Sequence, residues 1–127
     1  MIHNFFIGLI IVVNIIYTKK ISNHIANKKR LYTLLDEEYH KDKNLNQKKE
    51  IFKSIKINSN KIHGRNTLDN LIIHEIVGDL EFKNKFYENA LSSYKEEYDI
   101  LQKLDCYSTD QEIIILQNMI KIYKKIN

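Results

Sequence analysis

No proline occurs anywhere in the 127 residues of this chain, and glycine occurs only three times. Those two residues are the strongest punctuation a backbone has, because proline removes an amide donor and glycine opens the left-handed region. A chain almost free of both has little with which to stop a helix. It also lacks the turn chemistry that a sandwich of many short strands requires. The expected fold class is therefore all-α. The same counts exclude a collagen-like chain or a proline-rich linker. The lone Cys106 excludes an internal disulfide framework and any multi-cysteine zinc site, both of which need several thiols.

The formal net charge of +4 is an average over unlike sections. Met1 to Leu35 carries five basic side chains, Lys19, Lys20, Lys28, Lys29 and Arg30, and no acidic one. Asp36 to Arg65 is also basic, with eight cationic residues against five acids. Asn66 to Glu112 reverses the sign, with eleven Asp and Glu against four Lys. The last fifteen residues add three Lys. A polyanion would be repelled by the acidic middle, and the cations are mostly dispersed Lys with few interleaved aromatics. Nucleic acid is therefore not an expected partner.

Met1 to Thr18 has no charged side chain, and Phe5 to Tyr17 is almost continuously apolar. Eighteen helical residues reach about 27 Å, close to the thickness of a hydrocarbon core. The segment is read as an uncleaved membrane anchor. A cleaved export signal and a buried core helix are the alternatives. The export reading is weakened because only the α-amine and His3 precede the apolar run, and Tyr17-Thr18-Lys19 offers no small-residue cleavage pattern. All five cations of this section follow the run. Positive flanks stay cytoplasmic, so a single pass with a cytoplasmic body is expected, and the same cations suit anionic headgroups.

The chain then divides into residues 19–66, a basic helical stalk and loop, and residues 67–127, a helical unit. In the stalk, Leu31, Leu34, Leu35 and Tyr39 recur at helical spacing. Leu45, Phe52 and Ile55 continue a weaker pattern, and Asn58 to Thr67 collects turn residues around Gly64. In the unit, Leu68, Ile72, Ile76 and Leu80 form an apolar line broadened by Ile73 and Val77, and Lys83-Asn84-Lys85 makes a polar break. Tyr87, Ala90, Leu91, Tyr94, Tyr98 and Leu101 form a second stripe. Ser108 and Thr109 each open a capping-box pattern, before a third face of Ile113, Leu116, Ile120 and Tyr123. Three antiparallel helices are expected here. Gly78 costs such a helix about 1 kcal/mol relative to Ala. A close approach by the next helix, with Ala90 against the gap and Tyr94 beside it, would explain it.

Val77-Gly78, then Tyr87, Ala90 and Tyr94, across two antiparallel helices, resembles the tetratricopeptide repeat. Met119, Ile120 and Tyr123 resemble the start of a following unit, with Ile120 in place of the glycine. The resemblance covers about Leu71 to Asn127, one and a half repeats. His74 stands where the family often has Trp, and Glu81 where Tyr is common. The resemblance implies antiparallel hairpins whose first helices line a groove for a peptide or protein. By position, Glu75, Asp79 and Phe82 of one unit and Gln117, Lys121 and Lys124 of the next would face it. The acidic pair differs from the Lys and Asn with which the family grips a C-terminal carboxylate, so a basic or mixed peptide is the expected ligand. At least about three repeats are generally needed for stability. Upstream helices, a partner or self-association must supply the rest.

Catalytic constellations are weak. His74-Glu75 starts like a zincin motif, but the second His would fall on Gly78. Glu37-x-x-His40 has the spacing of a di-iron half-site without a second pair. Cys106 has Asp105 beside it, which raises a thiol pKa. No glycine-rich phosphate loop is present. The expected protein is no enzyme and uses no cofactor or metal. It is a membrane-anchored scaffold module, with an accessory subunit of a larger membrane complex or an exported helical protein as alternatives.

Overall fold

The computed structural model describes residues 28–38, 44–104 and 109–127. The expected anchor, Met1 to Thr18, lies outside the described residues, as do Lys19, Lys20, Tyr39, His40, Cys106 and Ser108. The described residues form five helices and no strand. They are α1 (residues 28–38), α2 (Leu45–His63), α3 (Leu68–Lys83), α4 (Tyr87–Lys103) and α5 (Thr109–Ile126). Among them, no helix is long and apolar enough to cross a membrane.

Local chemistry sets the boundaries. Asn44 caps α2, its side chain accepting from the Asn46 amide at 2.8 Å. Thr67 caps α3 in the same way from the Asn70 amide at 3.2 Å. Each cap satisfies an amide that the first helical turn leaves free. Between the two, Gly64 takes φ +81°, a left-handed value open to glycine. The end of α3 is a Schellman turn. The Phe86 amide donates to Glu81 O at 2.8 Å and the Lys85 amide to Phe82 O at 3.0 Å. Lys85 itself sits at φ +64°, the position glycine usually fills in this motif.

The loop expected over Asn58 to Thr67 is shorter than its composition suggests. Asn58 to His63 completes α2, and the connection is residues 64–67. The polar side chains that favour turns are instead spent across the α2–α3 interface. Ser59 Oγ donates to Asn70 Oδ1 at 2.6 Å, and Asn70 Nδ2 donates to Asn60 Oδ1 at 2.8 Å. Tertiary partners outweigh the local preference. The same interface takes in Phe52, which belongs to the common core and lies with its ring centroid 6.5 Å from that of Phe86. Thus α2, expected as part of a stalk, packs along α3.

Helix α3 is central. Leu71, Ile72, Ile76, Val77 and Leu80 are buried, and so are Asn70, His74, Glu75 and Glu81 on its other sides. Its partners run antiparallel to it: Ser59 and Lys56 of α2 reach Asn70 and Glu81, while Tyr94 and Ser93 of α4 reach Asp79 and Glu81. Helix α5 folds back on α4, with Gln111 donating to Glu97 Oε1 at 3.2 Å and Tyr98 Oη to Glu112 Oε1 at 3.0 Å.

The face of α5 differs from expectation by one residue. Ile115 and Ile122 are fully buried and Met119 packs beside them, while Ile113, Leu116, Ile120 and Tyr123 are 40–52% exposed. Apolar residues stand on both adjacent lines of this helix, so helical periodicity fits either. Contact with α4 selects the first. A smaller change of the same kind occurs on α1, where Leu31, Tyr32 and Leu35 pack inward and Leu34 is exposed.

Candidate functional site

The site is organised by the short distance between α3 and α4. A β-carbon at Gly78 would lie 2.9 Å from Tyr94 Cε1 and 3.2 Å from Ser93 Cβ. Such contacts require something to shift, so glycine lets the two helices meet here. Val77 and Ala90 are fully buried on either side, and Tyr87 stacks edge-on against Phe82 at 5.6 Å. The Tyr94 hydroxyl then donates to Asp79 Oδ1 at 2.5 Å.

Beside this contact lies a cavity of about 470 Å³ bordered by α1, α3, α4 and α5. Tyr32, Phe82 and Tyr94 supply its aromatic surface, and Asp79, Lys83 and Lys121 its charges, with Asn118 on the α5 side. Of the residues expected to face a groove, Asp79, Phe82 and Lys121 line this cavity together. Glu75 lies one helical turn before Asp79, buried and ion-paired with Lys28 of α1. Gln117 and Lys124 are exposed and do not line the cavity, since Asn118 takes the α5 position beside Lys121. Met119 is half-buried against the core, whereas Tyr123 lies on the exposed line of α5.

Sequence reasoning did not state that three acids are buried: it set Glu75 along a groove, and Glu81 and Glu97 where the repeat family commonly has Tyr and a small packing residue. Glu75, Glu81 and Glu97 are all under 9% exposed. Glu81 is compensated: Lys56 Nζ lies 3.2 Å from both of its oxygens and 2.7 Å from Ser93 Oγ, and Ser93 donates to Glu81 Oε1. Burial raises the Glu81 pKa, and Lys56 and Ser93 oppose the rise. Glu97 has less relief, from the Gln111 hydrogen bond to Oε1 and the nearby Lys28 charge. Its Oε2 has no hydrogen-bond partner, and burial followed by the nearby Glu75 and Asp79 charges pushes its pKa well above the usual range. Asp79 is likewise raised, by burial above all, with Tyr94 pulling the other way.

Across α3, His74 Nε2 lies 3.0 Å from Asn60 Oδ1, while its buried Nδ1 has no partner. Burial lowers the His74 pKa to about 4, so the ring is neutral at pH 7. A neutral buried imidazole held by the Asn60 amide is a packing arrangement. Among the described residues, no group of three His, Cys, Asp or Glu side chains is placed to hold a metal ion. Glu75, Asp79 and Glu97 thus form an acidic region met by the Lys28 ammonium, and the cavity beside them offers aromatic surface with charges of both signs.

Compared with protein-family models, with curated proteins and with solved structures, the chain matches none.

Proposed function

We propose that this chain is a protein-interaction module of tetratricopeptide-like build, carried at a membrane by its apolar N-terminal segment and without catalysis of its own. The single observation that carries the reading is the cavity where Asp79, Phe82 and Lys121 come together from α3 and α5. Aromatic walls with a few charges of both signs suit a side chain or helix from another protein. The close Gly78–Tyr94 approach and buried Ala90 support the likeness to the repeat. Met1 to Thr18 as anchor, with a cytoplasmic body behind Lys19, Lys20, Lys28, Lys29 and Arg30, rests on the sequence.

The test is purification from the native membrane in mild detergent, comparing the wild-type chain with Lys121→Glu. Lys121 is exposed, so its reversal leaves the core untouched. A protein that accompanies the wild type and is lost from Lys121→Glu supports the reading. A companion retained by Lys121→Glu and by Asp79→Asn removes the cavity from recognition.

A second reading has its own observation. Ile113, Leu116, Ile120 and Tyr123 make an exposed apolar line along α5, and such a line suits packing into a larger assembly. The chain would then be an accessory subunit. Fixed stoichiometry and instability in isolation would distinguish a subunit from a scaffold that exchanges partners.

A further inference from the structure

Helix α1 lies parallel to α3, and two ion pairs join them at matched spacing. Lys28 meets Glu75, and Asp36 meets Lys83 at 2.6 Å. Each pair spans the same 47 positions of sequence. Lys28 and Asp36 are thus eight residues apart on α1, as Glu75 and Lys83 are on α3, and each interval is about 12 Å along a helix. The signs are opposite at each end. An antiparallel placement would set Lys28 against Lys83 and Asp36 against Glu75, so the charges select one direction. Between the pairs, Leu31, Tyr32 and Leu35 pack onto the core, and Tyr32 forms a wall of the cavity. These five α1 residues fall at successive intervals of three, one, three and one, a single face of an α-helix.

From this we infer that the α3 surface is a helix-reading groove in which α1 is the resident ligand, and that its external partner is a helix carrying the same signature. The signature is Lys at the first position, apolar or aromatic residues at the fourth, fifth and eighth, and an acid at the ninth, aligned parallel to α3. The inference rests on the interaction reading above and adds to it the partner class and its direction. Apolar anchors at such spacing are the usual basis of helix-in-groove recognition. The paired charges supply register and the choice against reversed helices. Because α1 already fills the groove, an incoming helix must displace it. Its apparent affinity is reduced by the fraction of molecules in which the groove is free.

The test uses the full chain in mild detergent and a labelled synthetic peptide with the sequence of residues 28–38, followed by fluorescence anisotropy. Lys28→Glu with Asp36→Lys weakens the resident helix through two partly exposed side chains. Peptide affinity is expected to rise about tenfold, the scale of two such ion pairs. Adding Glu75→Lys and Lys83→Glu to that variant rebuilds both pairs with inverted signs and should close the groove again. The rebuilt groove gives an internal control against general unfolding. Equal binding of the native peptide and one with its Lys28 and Asp36 charges exchanged would overturn the signature while leaving the interaction reading intact. No binding of either peptide to the opened variant, with its helical circular dichroism unchanged, would make α1 a fixed part of the core and remove the groove reading as well. A wild-type dimer dissolved by the α1 substitutions would assign the groove to a second copy and overturn the resident arrangement.

Discussion

The ring of Tyr94 occupies the space that a side chain at residue 78 would need, with Cε1 2.9 Å from the position of the missing β-carbon. Gly78→Ala therefore sets two effects against each other. Alanine gains about 1 kcal/mol of helix propensity. Overpacking against an aromatic ring and Ser93 Cβ costs about 1–3 kcal/mol. The second prevails because Tyr94 is 3% exposed and tied to Asp79. The expected outcome in urea denaturation is a loss of about 1 kcal/mol. The loss should shrink when Tyr94→Leu is added, since neighbours sharing one space are non-additive.

Glu97 offers a gain. It is 0% exposed, with one oxygen unpartnered and Glu75 and Asp79 nearby in charge. Lys28 and Gln111 are the favourable neighbours. Its folded pKa is raised, so the folded state holds a proton more tightly than the unfolded chain. Stability contributed by that proton is present at low pH and lost as pH rises through the folded value. Glu97→Gln keeps the shape and an oxygen for the Gln111 donor. It should stabilise the protein at pH 7 by about 1 kcal/mol, the scale of a buried polar mismatch. Thermal melts of the two proteins should converge near pH 4. A lower midpoint for Glu97→Gln at pH 7 would show that the ionised carboxylate is favourable.

His74 has the opposite sign. Its folded pKa is lowered to about 4 by burial, so the unfolded chain takes up protons first. The stability of the neutral ring is complete above about pH 6.5 and falls away between there and about pH 4. Protonation would place a cationic N–H at Nδ1, where no acceptor lies. His74→Gln, able to donate to Asn60, should flatten the profile over this window by on the order of 2 kcal/mol. Unfolding free energies at pH 7.5, 6 and 5 measure it, and a parallel profile in wild type and variant would refute the assignment.

Lys85 holds a left-handed conformation, φ +64°, at the end of α3. A residue with a β-carbon pays roughly 1 kcal/mol or more in that region. Lys85→Gly should therefore stabilise the protein by about 0.5–1 kcal/mol even though it removes a side chain. Lys85→Val should destabilise it, because a β-branched residue tolerates positive φ least.

Particular residues mark where the sequence was readable. The hairpin of α3 and α4 could be read because Gly78, Ala90 and Tyr94 interact over short separations, and the polar break at Lys83-Asn84-Lys85 coincides with its turn. The resemblance to the repeat, carried over by position, also set Asp79, Phe82 and Lys121 along one groove. The phase of α5 was not readable, because Ile115 and Leu116 both continue an apolar line and only α4 distinguishes them. The six residues closing α2 were misread because Asn58, Ser59 and Asn60 favour turns locally, while the bonds of Ser59 and Asn60 to Asn70 form only once α2 and α3 pack together. Burial of Glu81 and Glu97 had no signal in their charge; only their places at packing positions of the repeat pointed to it. Docking of α1 was equally hidden: the match of Lys28 and Asp36 to Glu75 and Lys83 becomes visible only once the two helices lie side by side.

The Lys56 ammonium touches Glu81 of α3 and Ser93 of α4 from its place on α2. One atom is thereby keyed to three helices. Apolar side chains can slide past one another by a helical turn, about 5.4 Å, and find new neighbours of similar quality. Glu81 has no such freedom, for any slip of α2 would leave a carboxylate in the core without its cation. The network therefore acts as a vernier mark. It fixes how far along each helix the others must sit, and with that the alignment at which the cavity walls come together.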